Sequence, residues 1–392
     1  MRVLLIHDYY QQRGGEDEVF EAERDLLTEH GHAVTVRSMH NDAIGAVAGV
    51  GLAAAAIWNR SAYRDVERIV RKTRADVVHV HNTFPMTSPA VLAGARAAGA
   101  RVVQTLHNYR LLCPAATFFR DGRVCEDCSG RPIPWPSVQH ACYRTHRSAT
   151  AVVGTMLTVH RLLGTYRRHV DRFIAPTFFS RTKFVAAGLP PERVAVKPHF
   201  LRRDPGAGSG HGGYALYVGR LSAEKGVPTL VRAWSRAGAP PLKIVGDGPL
   251  SPAVRALAGR SDSVAWLGSR SRAEVDALLA EAALLVAPSE GYETFGLSVI
   301  EALAHGTPVV ATDHGALAEA VEPGRTGRLV PAGDDASLLQ TVAELLANPA
   351  DLTAMRPEAR NAFERRYTAE ANHERLMEIY REALGAPARP AA

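Results

Sequence analysis

Short apolar runs rich in valine, leucine and isoleucine recur along the chain, and most are separated by stretches with the helical spacing of apolar positions. In the first half these runs occupy residues 3–6, 33–36, 76–80, 101–106 and 172–175. Such runs are typical of strands buried on both faces, and strands that alternate with helices predict βαβ units in a parallel sheet. The first run is followed by a loop with a glycine pair and by a helix that we expect to begin near Glu16.

A glycine-rich stretch at residues 203–213 interrupts this pattern, which then starts again. The apolar runs of the second half lie at residues 215–218, 242–245, 263–267, 284–287 and 308–311. We therefore predict an α/β fold with two Rossmann-like domains, each built on a doubly wound parallel sheet, that face a cleft. Ligands of such sheets bind beyond the carboxyl ends of the strands.

The predicted domain boundaries follow from these interruptions. We expect an N-terminal domain at residues 1–204, a flexible linker at 205–213, a second domain at 214–365 and a C-terminal helix with a frayed tail at 366–392. The final helix has no strand after it, so it either packs back on the N-terminal domain or caps the second domain.

The composition is that of a folded protein with a large core. The 392 residues are 46% apolar and 22% charged, which excludes a disordered chain, and no repeat of 20–50 residues indicates a solenoid or a propeller. Residues 1–205 contain 28 Lys and Arg against 18 Asp and Glu, a net charge of +10, whereas the remainder has 18 against 22, a net charge of −4. This asymmetry suggests an anionic partner. The 41 arginines against five lysines favour a general drift toward arginine, and no motif indicates nucleic acid as a partner.

The first residues reach the polar His7 after a short apolar run, which predicts a cytoplasmic protein without a secretory leader. The uncharged run at residues 43–59 is too rich in alanine and glycine for a spanning helix, which needs about 20 apolar residues. The basic cluster after it predicts either peripheral contact with the inner face of a membrane or a solvated helix face, and we favour the solvated face. This cluster comprises Arg60, Arg64, Arg68, Arg71, Lys72 and Arg74.

Two cations lie in the loop that follows the predicted strand at residues 215–218. Arg220 and Lys225 are five residues apart in this loop, which spans residues 219–226, and Lys225 is one of only five lysines in the chain. A guanidinium can bind a diphosphate as a fork and an ammonium can bind it as a point charge. The pair therefore indicates a diphosphate site, although a surface turn with two solvated cations has the same sequence.

A second motif follows the predicted strand at residues 284–287. Glu293 lies in a loop, and a helix is expected from about residue 295 to residue 305, where a glycine and a proline end it. The free N–H groups at the start of this helix favour an anion. The residues that would supply them are Thr294, Phe295, Gly296 and Leu297.

A second carboxylate, Glu301, lies about two turns into this helix and eight residues after Glu293. A carboxylate accepts two hydrogen bonds at once, which suits a vicinal diol such as the two hydroxyls of a ribose. Either glutamate alone could instead form a structural salt bridge or stabilise the start of the helix. Together with Arg220 and Lys225, the two carboxylates favour a ligand site over these structural roles.

Four motifs in this order resemble glycosyltransferase family 4, the retaining enzymes of the GT-B fold. They are the opening strand with Gly14 and Gly15, the loop at residues 219–226, the segment Val245-Gly-Asp-Gly-Pro249, and Glu293-x7-Glu301 with the Ala-Leu-Ala-x-Gly-x-Pro that follows. The resemblance extends to about Arg381. It implies an acceptor-binding first domain and a second domain that binds a nucleotide sugar.

The resemblance also implies a role for each motif. Glu301 would hold the ribose, while Arg220 and Lys225 would hold the diphosphate. The loop with Gly14 and Gly15 and the amides at residues 295–297 would assist. Glu293 would contact the hydroxyls of the transferred sugar. The base would lie near residues 266–270, which include Arg270.

His107 follows the predicted strand at residues 101–106 and matches the histidine that this family places near the donor sugar. The alternative is a histidine satisfied by neighbouring backbone. The resemblance further implies retention of anomeric configuration without a metal cofactor, with a UDP, GDP or ADP sugar as donor and the leaving diphosphate as the base for the acceptor. One departure is Lys197-Pro-His199, because relatives commonly have asparagine after this proline.

All four cysteines lie within a span of 30 residues, in the pattern Cys113-x11-Cys125-x2-Cys128-x13-Cys142. The surrounding segment, about residues 107–147, is rich in turns and prolines and resembles an insertion found in a subgroup of family 4. Thiolates at this spacing predict a structural zinc site, with free thiols as the alternative. His140 and His146 are possible substitute ligands.

We therefore expect a retaining hexosyltransferase that acts in the synthesis of a glycan, a glycolipid or a glycosylated natural product. Two other classes of protein fit parts of the sequence. The first is a protein that binds a sugar nucleotide without transferring the sugar. The second is a basic binding module stapled by zinc, which would bind polyanions in a salt-sensitive way.

Overall fold

The computed structural model describes the chain except for residue 12, residues 43–48 and residues 386–392. The predicted frayed tail and the first part of the uncharged run at residues 43–59 therefore lie mainly outside the described residues. Contacts between residues divide the chain into two compact units. Unit 1 comprises Met1–Ala116, Glu126–His199 and Asn372–Ala392, and unit 2 comprises Thr117–Cys125 and Phe200–Ala371.

Unit 1 contains a sheet of six parallel strands in the order β2-β1-β3-β4-β7-β8. Its strands are β1 (Arg2–Tyr9), β2 (Ala33–His40), β3 (Val77–Val80), β4 (Arg101–Thr105), β7 (Arg172–Ala175) and β8 (Val194–Val196). Its helices are α1 (Gly15–Glu29), α2 (Gly49–Ile57), α3 (Arg60–Thr73), α4 (Ala90–Ala97), α5 (Trp135–Gln139), α6 (Arg147–Leu162), α7 (Thr165–His169) and α8 (Phe178–Ala186).

Unit 2 contains a second sheet of six parallel strands in the order β11-β10-β9-β12-β13-β14, and a separate two-stranded hairpin. The hairpin strands are β5 (Phe119–Arg120) and β6 (Arg123–Val124). The sheet strands are β9 (Ala215–Val218), β10 (Leu242–Val245), β11 (Val264–Gly268), β12 (Leu284–Ala287), β13 (Val309–Thr312) and β14 (Gly327–Val330). The helices are α9 (Val227–Trp234), α10 (Ser251–Ala258), α11 (Arg272–Glu281), α12 (Leu297–Ala304), α13 (Gly315–Ala320), α14 (Asp335–Ala347) and α15 (Pro349–Arg366).

The inner strands of the second sheet are apolar because core clusters lie on both of its faces. In unit 2 one core cluster includes Leu216, Leu285 and Val299, and another includes Tyr217, Ile244 and Val286. Neighbouring residues of one strand thus point into opposite cores, which explains why the sequence shows continuous apolar runs without alternation. The predicted fold class, two parallel-sheet α/β domains, is confirmed.

The last helix, α16 (Ala369–Leu384), begins after a break that separates it from α15. From Asn372 onward it belongs to unit 1, where Leu376 and Tyr380 pack with Val3 and Phe20 in one core cluster. The chain therefore returns to the first sheet with its C-terminal helix, which was one of the two arrangements considered from the sequence.

The stretch expected to be a flexible linker, residues 205–213, is instead held against unit 2. The amide of Gly208 donates to the carbonyl of His305 at 2.9 Å, and that of Gly210 donates to the carbonyl of Ala280 at 3.0 Å. A Cβ on Gly208 would lie 2.2 Å from that Ala280 oxygen, so the glycine is required by close backbone packing. The glycine content reflects this contact and not the flexibility that it suggests in a sequence.

Candidate functional site

The loop that follows β9 is held by the loop that follows β12. The amides of Glu290 and Gly291 both donate to the carbonyl of Glu224, at 3.0 and 2.8 Å. Gly226 has a φ of +72°, and a Cβ at this position would lie 1.7 Å from the carbonyl oxygen of Pro288. Only glycine permits this approach. The contact therefore fixes the position of Lys225 relative to the loop that carries Glu293.

Lys225 and Glu293, which are 68 residues apart in the sequence, form an ion pair in unit 2. The Lys225 Nζ lies 2.6 Å from Oε1 of Glu293, and the Ser289 hydroxyl donates to the same oxygen at 2.7 Å. Burial opposes ionisation of Glu293, but the Lys225 ammonium and the two hydrogen bonds outweigh it and hold the pKa of the carboxyl below its usual range. Glu293 is therefore a carboxylate at neutral pH.

Arg220, the other predicted cation, is exposed in the same loop. Its carbonyl accepts a hydrogen bond of 2.9 Å from the hydroxyl of Tyr217 on β9. The amide of Leu221 donates to the carbonyl of Asp247, which links this loop to the predicted Val245-Gly-Asp-Gly-Pro249 motif after β10. The loops that follow three neighbouring strands thus lie together at the carboxyl edge of the sheet, where open α/β sheets bind ligands.

The helix after Glu293 begins at Leu297, two residues later than the sequence predicts, and it ends at Ala304. Gly296 precedes it with a φ of +97°. Thr294 and Phe295 therefore belong to the turn that leads into the helix, and Phe295 is buried in the core of unit 2. The amides from Leu297 onward form the first helical turn, where N–H groups are available to an anion.

Glu301 lies in α12 and is 6% exposed. Its carboxylate pairs with the guanidinium of Arg272, the first residue of α11. Burial disfavours the charge on Arg272, but Glu301 and Asp276 raise the pKa of the guanidinium overall. Sequence reasoning missed Arg272. The one signal for it in the sequence is its position directly after Ser271, the residue that caps the start of α11. This helix follows the strand that was predicted to lie near the base.

Arg270, which the resemblance places near the base, is exposed, and its guanidinium lies 3.5 Å from the carboxylate of Glu274 in the first turn of α11. Trp266 donates through its ring N–H to the carbonyl of Gly246 at 3.1 Å. This bond connects β11 with the motif that follows β10. The residues predicted near the base thus lie beside the loops that carry Arg220 and Lys225.

The predicted glycine pair lies in unit 1, at the start of α1. Gly14 is the residue that precedes the helix, and its amide donates to Oδ2 of Asp17 at 3.0 Å. Glu16, which was used only to mark the helix start, accepts hydrogen bonds from Tyr10 at 3.1 Å and from Asn108 at 3.0 Å. Its burial raises the pKa of the carboxyl to about 7. The loop with Gly14 and Gly15 is therefore connected to the segment after β4.

His107 follows β4 and belongs to a stack of buried histidines. Its Nε2 lies 2.9 Å from Nδ1 of His81, and its ring centroid lies 5.1 Å from those of His81 and His199. Burial lowers the pKa of His107 well below its usual value, and the neighbouring histidines add to this effect. His107 is therefore neutral at pH 7, so that its ring can take part in hydrogen bonds but carries no charge.

A buried carboxylate, Glu23, lies beneath this stack. It is paired with the ammonium of Lys197, and both side chains are almost completely shielded from solvent. Its Oε2 lies 3.5 Å from Nε2 of His81 and 3.7 Å from Nδ1 of His79. Sequence reasoning missed this pairing, which involves the lysine before Pro198. His199, at the position where relatives commonly have asparagine, stacks on His107.

Glu23, His79 and His81 could supply three ligand atoms to a metal, since these atoms lie within 4.8 Å of one another. The nitrogens of His79 are, however, already engaged with the Tyr380 hydroxyl at 2.8 Å and the Thr105 hydroxyl at 2.7 Å. The Lys197 ammonium already compensates the Glu23 carboxylate. The group therefore fits a neutral buried network better than a metal site.

The buried histidines predict that the protein loses stability below about pH 6.5. Burial lowers the pKa of His79 to about 4 and that of His199 to about 3, and it lowers those of His81 and His107 as well. Because the unfolded chain protonates near pH 6.5, it binds more protons than the folded chain between this pH and the folded pKa. Each histidine therefore lowers the free energy of unfolding by up to about 1.4 kcal/mol per pH unit as the pH falls.

Two buried carboxyls oppose this trend, because burial raises the pKa of Asp8 to about 6 and that of Glu16 to about 7. For these six groups, four histidines against two carboxyls leave a net loss of roughly 2–3 kcal/mol per pH unit between pH 6.5 and 5. Burial also lowers the pKa of other histidines, including His160 and His373, which adds to the loss. Urea denaturation at pH 7.5, 6.5 and 5.5 measures the slope, and His79→Gln should reduce it while exposed His211→Gln should not. A free energy of unfolding that stays constant or rises as the pH falls contradicts the prediction.

Three cysteines of the segment, Cys113, Cys125 and Cys142, are partly buried. Cys128 is buried, and its sulfur lies 3.8 Å from the carbonyl oxygen of Pro134. Burial raises the pKa of the Cys128 thiol to about 11, and the nearby thiols of Cys113 and Cys142 contribute to this rise. The amide of Cys125 donates to the carbonyl of Phe118 at 2.8 Å, next to the hairpin.

The predicted basic cluster lies on α3 and at its end. Two of its arginines are paired within the helix, Arg68 with Asp65 and Arg71 with Glu67. Among the described residues, no helix is both long enough and apolar enough to cross a membrane.

Two family models match the chain. The model described as "Glycosyltransferase Family 4" matches residues 13–203, and the model described as "Glycosyl transferases group 1" matches residues 212–348. Together they cover most of both units.

The chain is also similar to proteins named as glycosyltransferases. It is 30% identical over 329 residues to the 2-deoxystreptamine N-acetyl-D-glucosaminyltransferase of Streptomyces fradiae, which covers 80% of this chain and 73% of that protein. It is 32% identical over 174 residues to the alpha-D-kanosaminyltransferase of Streptomyces kanamyceticus, a match that covers 43% of this chain and 45% of that protein. In the second case the alignment thus spans less than half the length of the relative.

The crystal structure of Anabaena HepE in complex with UDP-glucose superposes with a TM-score of 0.67 at 19% identity, and it covers 96% of this chain and 99% of that chain. At this identity the likeness shows the fold, and it agrees with the two parallel-sheet units described above.

Proposed function

The chain belongs to the family-4-like glycosyltransferases of the GT-B fold, and we propose that it transfers a sugar with retention of configuration from a nucleotide-diphosphate-sugar to a hydroxyl acceptor. The observation that carries this proposal is the ion pair between the partly exposed Lys225 and the partly buried Glu293 at the carboxyl edge of the second sheet. It places a cation and a carboxylate together, in the same unit as the helix that carries the buried carboxylate of Glu301.

The donor would bind to unit 2. Arg220 and Lys225 would hold the diphosphate, with the first-turn amides of α12 supplying further donors to its oxygens. Glu301 would accept hydrogen bonds from the ribose hydroxyls, and Arg272 would keep this buried carboxylate charged. Gly14, Gly15 and His107 in unit 1 would supply the contacts that the resemblance implies, and Arg270 would lie near the base.

The reaction would rely on electrostatics and not on a covalent protein nucleophile. As the bond from the anomeric carbon to the diphosphate oxygen breaks, negative charge grows on the leaving group, and Lys225 and Arg220 stabilise it. The acceptor oxygen would form its bond to the anomeric carbon on the face from which the diphosphate departs, which gives retention. The leaving diphosphate would take the proton of that acceptor hydroxyl. Glu293, held as a carboxylate, would orient the hydroxyls of the sugar, and no metal cofactor is needed for these steps.

The donor and the acceptor follow from the relatives by analogy. HepE was crystallised with UDP-glucose, and a UDP sugar is therefore the first donor to test, before GDP and ADP sugars. The named transferases act on 2-deoxystreptamine or transfer a kanosaminyl group, which favours a hydroxyl acceptor in a glycosylated natural product or a glycan. Peripheral contact with a membrane stays a prediction, and the ion pairs within α3 favour the solvated alternative.

The test is a panel of UDP, GDP, ADP and dTDP sugars measured by thermal shift and by slow release of nucleotide diphosphate. We expect one class of donor to stabilise the wild type and the effect to be lost in Glu301→Ala. Glu322→Ala, which removes a carboxylate of unit 2 that pairs with Arg366, is the matched control and should keep the shift. Equal shifts in wild type and Glu301→Ala would overturn the site, and a shift without any release of nucleotide would favour a binding protein.

A further inference from the structure

A pocket lined by arginines lies at the amino edge of the sheet in unit 1, and we call it the amino-edge pocket. Its wall includes Arg101, the first residue of β4, Arg172, the first residue of β7, and Arg193, which directly precedes β8. Because these strands are parallel neighbours, their amino ends lie along one edge of the sheet. The pocket has a volume of about 340 Å³, which is within the range of small-ligand sites, and all the residues that line it belong to unit 1.

Positive charge dominates the amino-edge pocket. Six arginines line it against two carboxylates, which gives the lining a net charge of +4. Clefts lined by charge of one sign concentrate ions of the opposite sign. The six arginines are Arg96, Arg101, Arg167, Arg168, Arg172 and Arg193, and the two carboxylates are Asp171 and Glu382.

The two carboxylates hold three of these arginines in place. The guanidinium of Arg96 donates to both oxygens of Asp171, at 3.0 and 2.9 Å, and that of Arg101 donates to the same carboxylate at 3.3 Å. Glu382 on α16 lies 3.2 Å from the guanidinium of Arg172. Both acids of the pocket are therefore already engaged by arginines of its wall.

The other three arginines are not compensated in this way. Within the part of the chain that the structure describes, none of Arg167, Arg168 and Arg193 forms an ion pair with a carboxylate. Arg193 donates to the carbonyl of Arg167 at 2.8 Å, which holds its side chain against the end of α7. Burial lowers the pKa of His169 on the same helix, and the guanidiniums of Arg96 and Arg168 lower it further, which indicates a positive potential here.

The positive charge continues along the same edge of the sheet. A neighbouring cavity shares Arg101 and is also lined by Arg2, Arg71 and Arg74, with Asp76 as the carboxylate in its lining. Arg2 is the first residue of β1 and Asp76 directly precedes β3, so this cavity lies at the amino edge as well. Two members of the basic cluster noted in the sequence thus add to the charge beside the amino-edge pocket.

A general enrichment in arginine does not by itself account for this arrangement. In unit 2, Arg236, Arg325 and Arg328 are each paired with a carboxylate. Six guanidiniums around one cavity instead repel one another, and an anion in the cavity would remove this repulsion.

We propose that the amino-edge pocket binds a ligand that carries a phosphate group. A guanidinium offers a planar fork that matches two phosphate oxygens, which an ammonium cannot do. A soluble phosphate ester or diphosphate and the phosphate headgroup of an acidic lipid present the same oxygens, so either source of phosphate fits this chemistry. The proposal does not depend on the proposed function.

The pocket is separate from the histidines proposed to lie near the donor sugar. Arg101 and Thr105 are the two ends of β4, about 13 Å apart at the usual rise of a strand, and His107 follows the far end. A phosphate at the amino edge therefore cannot also contact the ring of His107. The ligand of this pocket would be an effector or an anchor, and not the sugar donor.

Protection of the arginines from chemical modification tests the site in the full-length protein. Phenylglyoxal, which modifies guanidiniums, is added with and without pyrophosphate, and the modified positions are identified by mass spectrometry. A second series uses vesicles of phosphatidylcholine and phosphatidic acid in a four-to-one ratio. We expect one of the two ligands to slow the modification of Arg167 and Arg168 several-fold and to leave that of the exposed Arg68 unchanged.

The outcomes distinguish the source of the phosphate. Protection by pyrophosphate assigns the pocket to a soluble ligand, and protection by the vesicles alone assigns it to a lipid headgroup. Protection by neither ligand, or equal protection by sodium chloride at the same ionic strength or by vesicles of phosphatidylcholine alone, would overturn the proposal. Protection of Arg220 is recorded separately in the same samples, so a failure of the proposed donor site is distinguished from a failure of this one.

A pair of double variants separates the pocket from the overall charge of unit 1. Arg167→Gln with Arg168→Gln should raise the ligand concentration that half-protects Arg193 by about tenfold or more, because charge-assisted hydrogen bonds are lost. Arg24→Gln with Arg68→Gln is the matched control, since it removes two charges from exposed ion pairs outside the lining of the pocket. Equal weakening in both double variants would overturn the site in favour of a general effect of charge.

Folding of the variants is checked by thermal unfolding. Arg167 and Arg168 are exposed, so their replacement should leave Tm nearly unchanged. If the double variant fails to fold, Arg168→Lys provides the second measurement, because it keeps the charge and removes only the fork. It should weaken protection of Arg193 several-fold, and protection equal to that of the wild type would overturn the recognition of phosphate by this arginine.

Discussion

Replacing Lys225 with methionine is expected to lower kcat/KM for the donor by about 10²–10³-fold, the usual cost of removing one group that stabilises developing negative charge. Methionine keeps most of the volume of the side chain, so packing around Gly226 and Pro288 should be little disturbed. The Lys225 ammonium lies 2.6 Å from Glu293 and is partly exposed, so it can also reach a diphosphate. The loss should appear mainly in kcat, because the charge on the leaving group grows as the bond breaks.

A purely structural role for Lys225 makes a different prediction. If the lysine served only to neutralise the partly buried Glu293, Glu293→Gln would remove the need for it. The double variant would then be no worse than Glu293→Gln alone. If Lys225 stabilises the leaving group, Lys225→Met should lower activity in the Glu293→Gln background as well. A double-mutant cycle with both single variants measures this coupling.

The control for Lys225→Met is Arg236→Met, which also breaks a cation–carboxylate pair of unit 2, with Asp335. Because Arg236 is half-exposed, its removal should leave kcat/KM within about twofold and change the free energy of unfolding by less than about 1 kcal/mol. Activity that survives in Lys225→Met would refute the proposed role, provided that thermal unfolding shows a folded variant. Equal losses in both variants would indicate a general effect of charge on this unit.

The sequence predicts the sheets well because their signal is local. Strands β7, β9, β10 and β12 occupy the same residues as the predicted apolar runs. Such strands are buried on both faces, so a few consecutive residues carry the whole pattern. The short strands β8 and β14 were missed, because each shows only three or four weakly patterned residues.

The helices and the linker are less predictable from local pattern. One long C-terminal helix was expected, and the structure has α15 and α16 with a break at Tyr367 and Thr368, where the side chain of Thr368 accepts the amide of Ala371. Residues 205–213 were predicted to be flexible because they are rich in glycine. A glycine in a sequence can indicate a mobile chain, but it can also indicate close backbone packing, such as that of Gly208 against Ala280.

The candidate site is predictable where its residues lie in one motif and not where they meet across the fold. Arg220, Lys225, Glu293 and Glu301 were found from spacing, and the contact of Lys225 with Glu293 follows from adjacent parallel strands. Arg272 is 29 residues from its partner Glu301. No motif or spacing in the sequence connects the two residues. Pairs of this kind appear only when three-dimensional contacts are known.

Lys197→Met is expected to lower the free energy of unfolding by about 3–5 kcal/mol, the largest effect on stability that we predict. The substitution leaves the carboxylate of Glu23 buried without its ammonium partner. It also removes a hydrogen bond of 3.2 Å to Asn372, whose amide donates to the carbonyl of Pro198 at 2.8 Å and so connects α16 with the chain after β8. Urea denaturation of the full chain at pH 7.5 measures the change.

The double variant Glu23→Gln with Lys197→Met separates the charge from the packing. Removing both charges should recover much of the loss, because a neutral amide costs far less to bury than an unpaired carboxylate. Lys183→Met, which breaks the more exposed pair with Glu126, should cost less than about 1 kcal/mol. Two results would contradict this prediction: a loss of less than about 1 kcal/mol in the free energy of unfolding of Lys197→Met, or a double variant that is less stable than Lys197→Met. Either result would show that the buried carboxylate of Glu23 does not depend on Lys197. The neighbouring histidines would then stabilise that carboxylate.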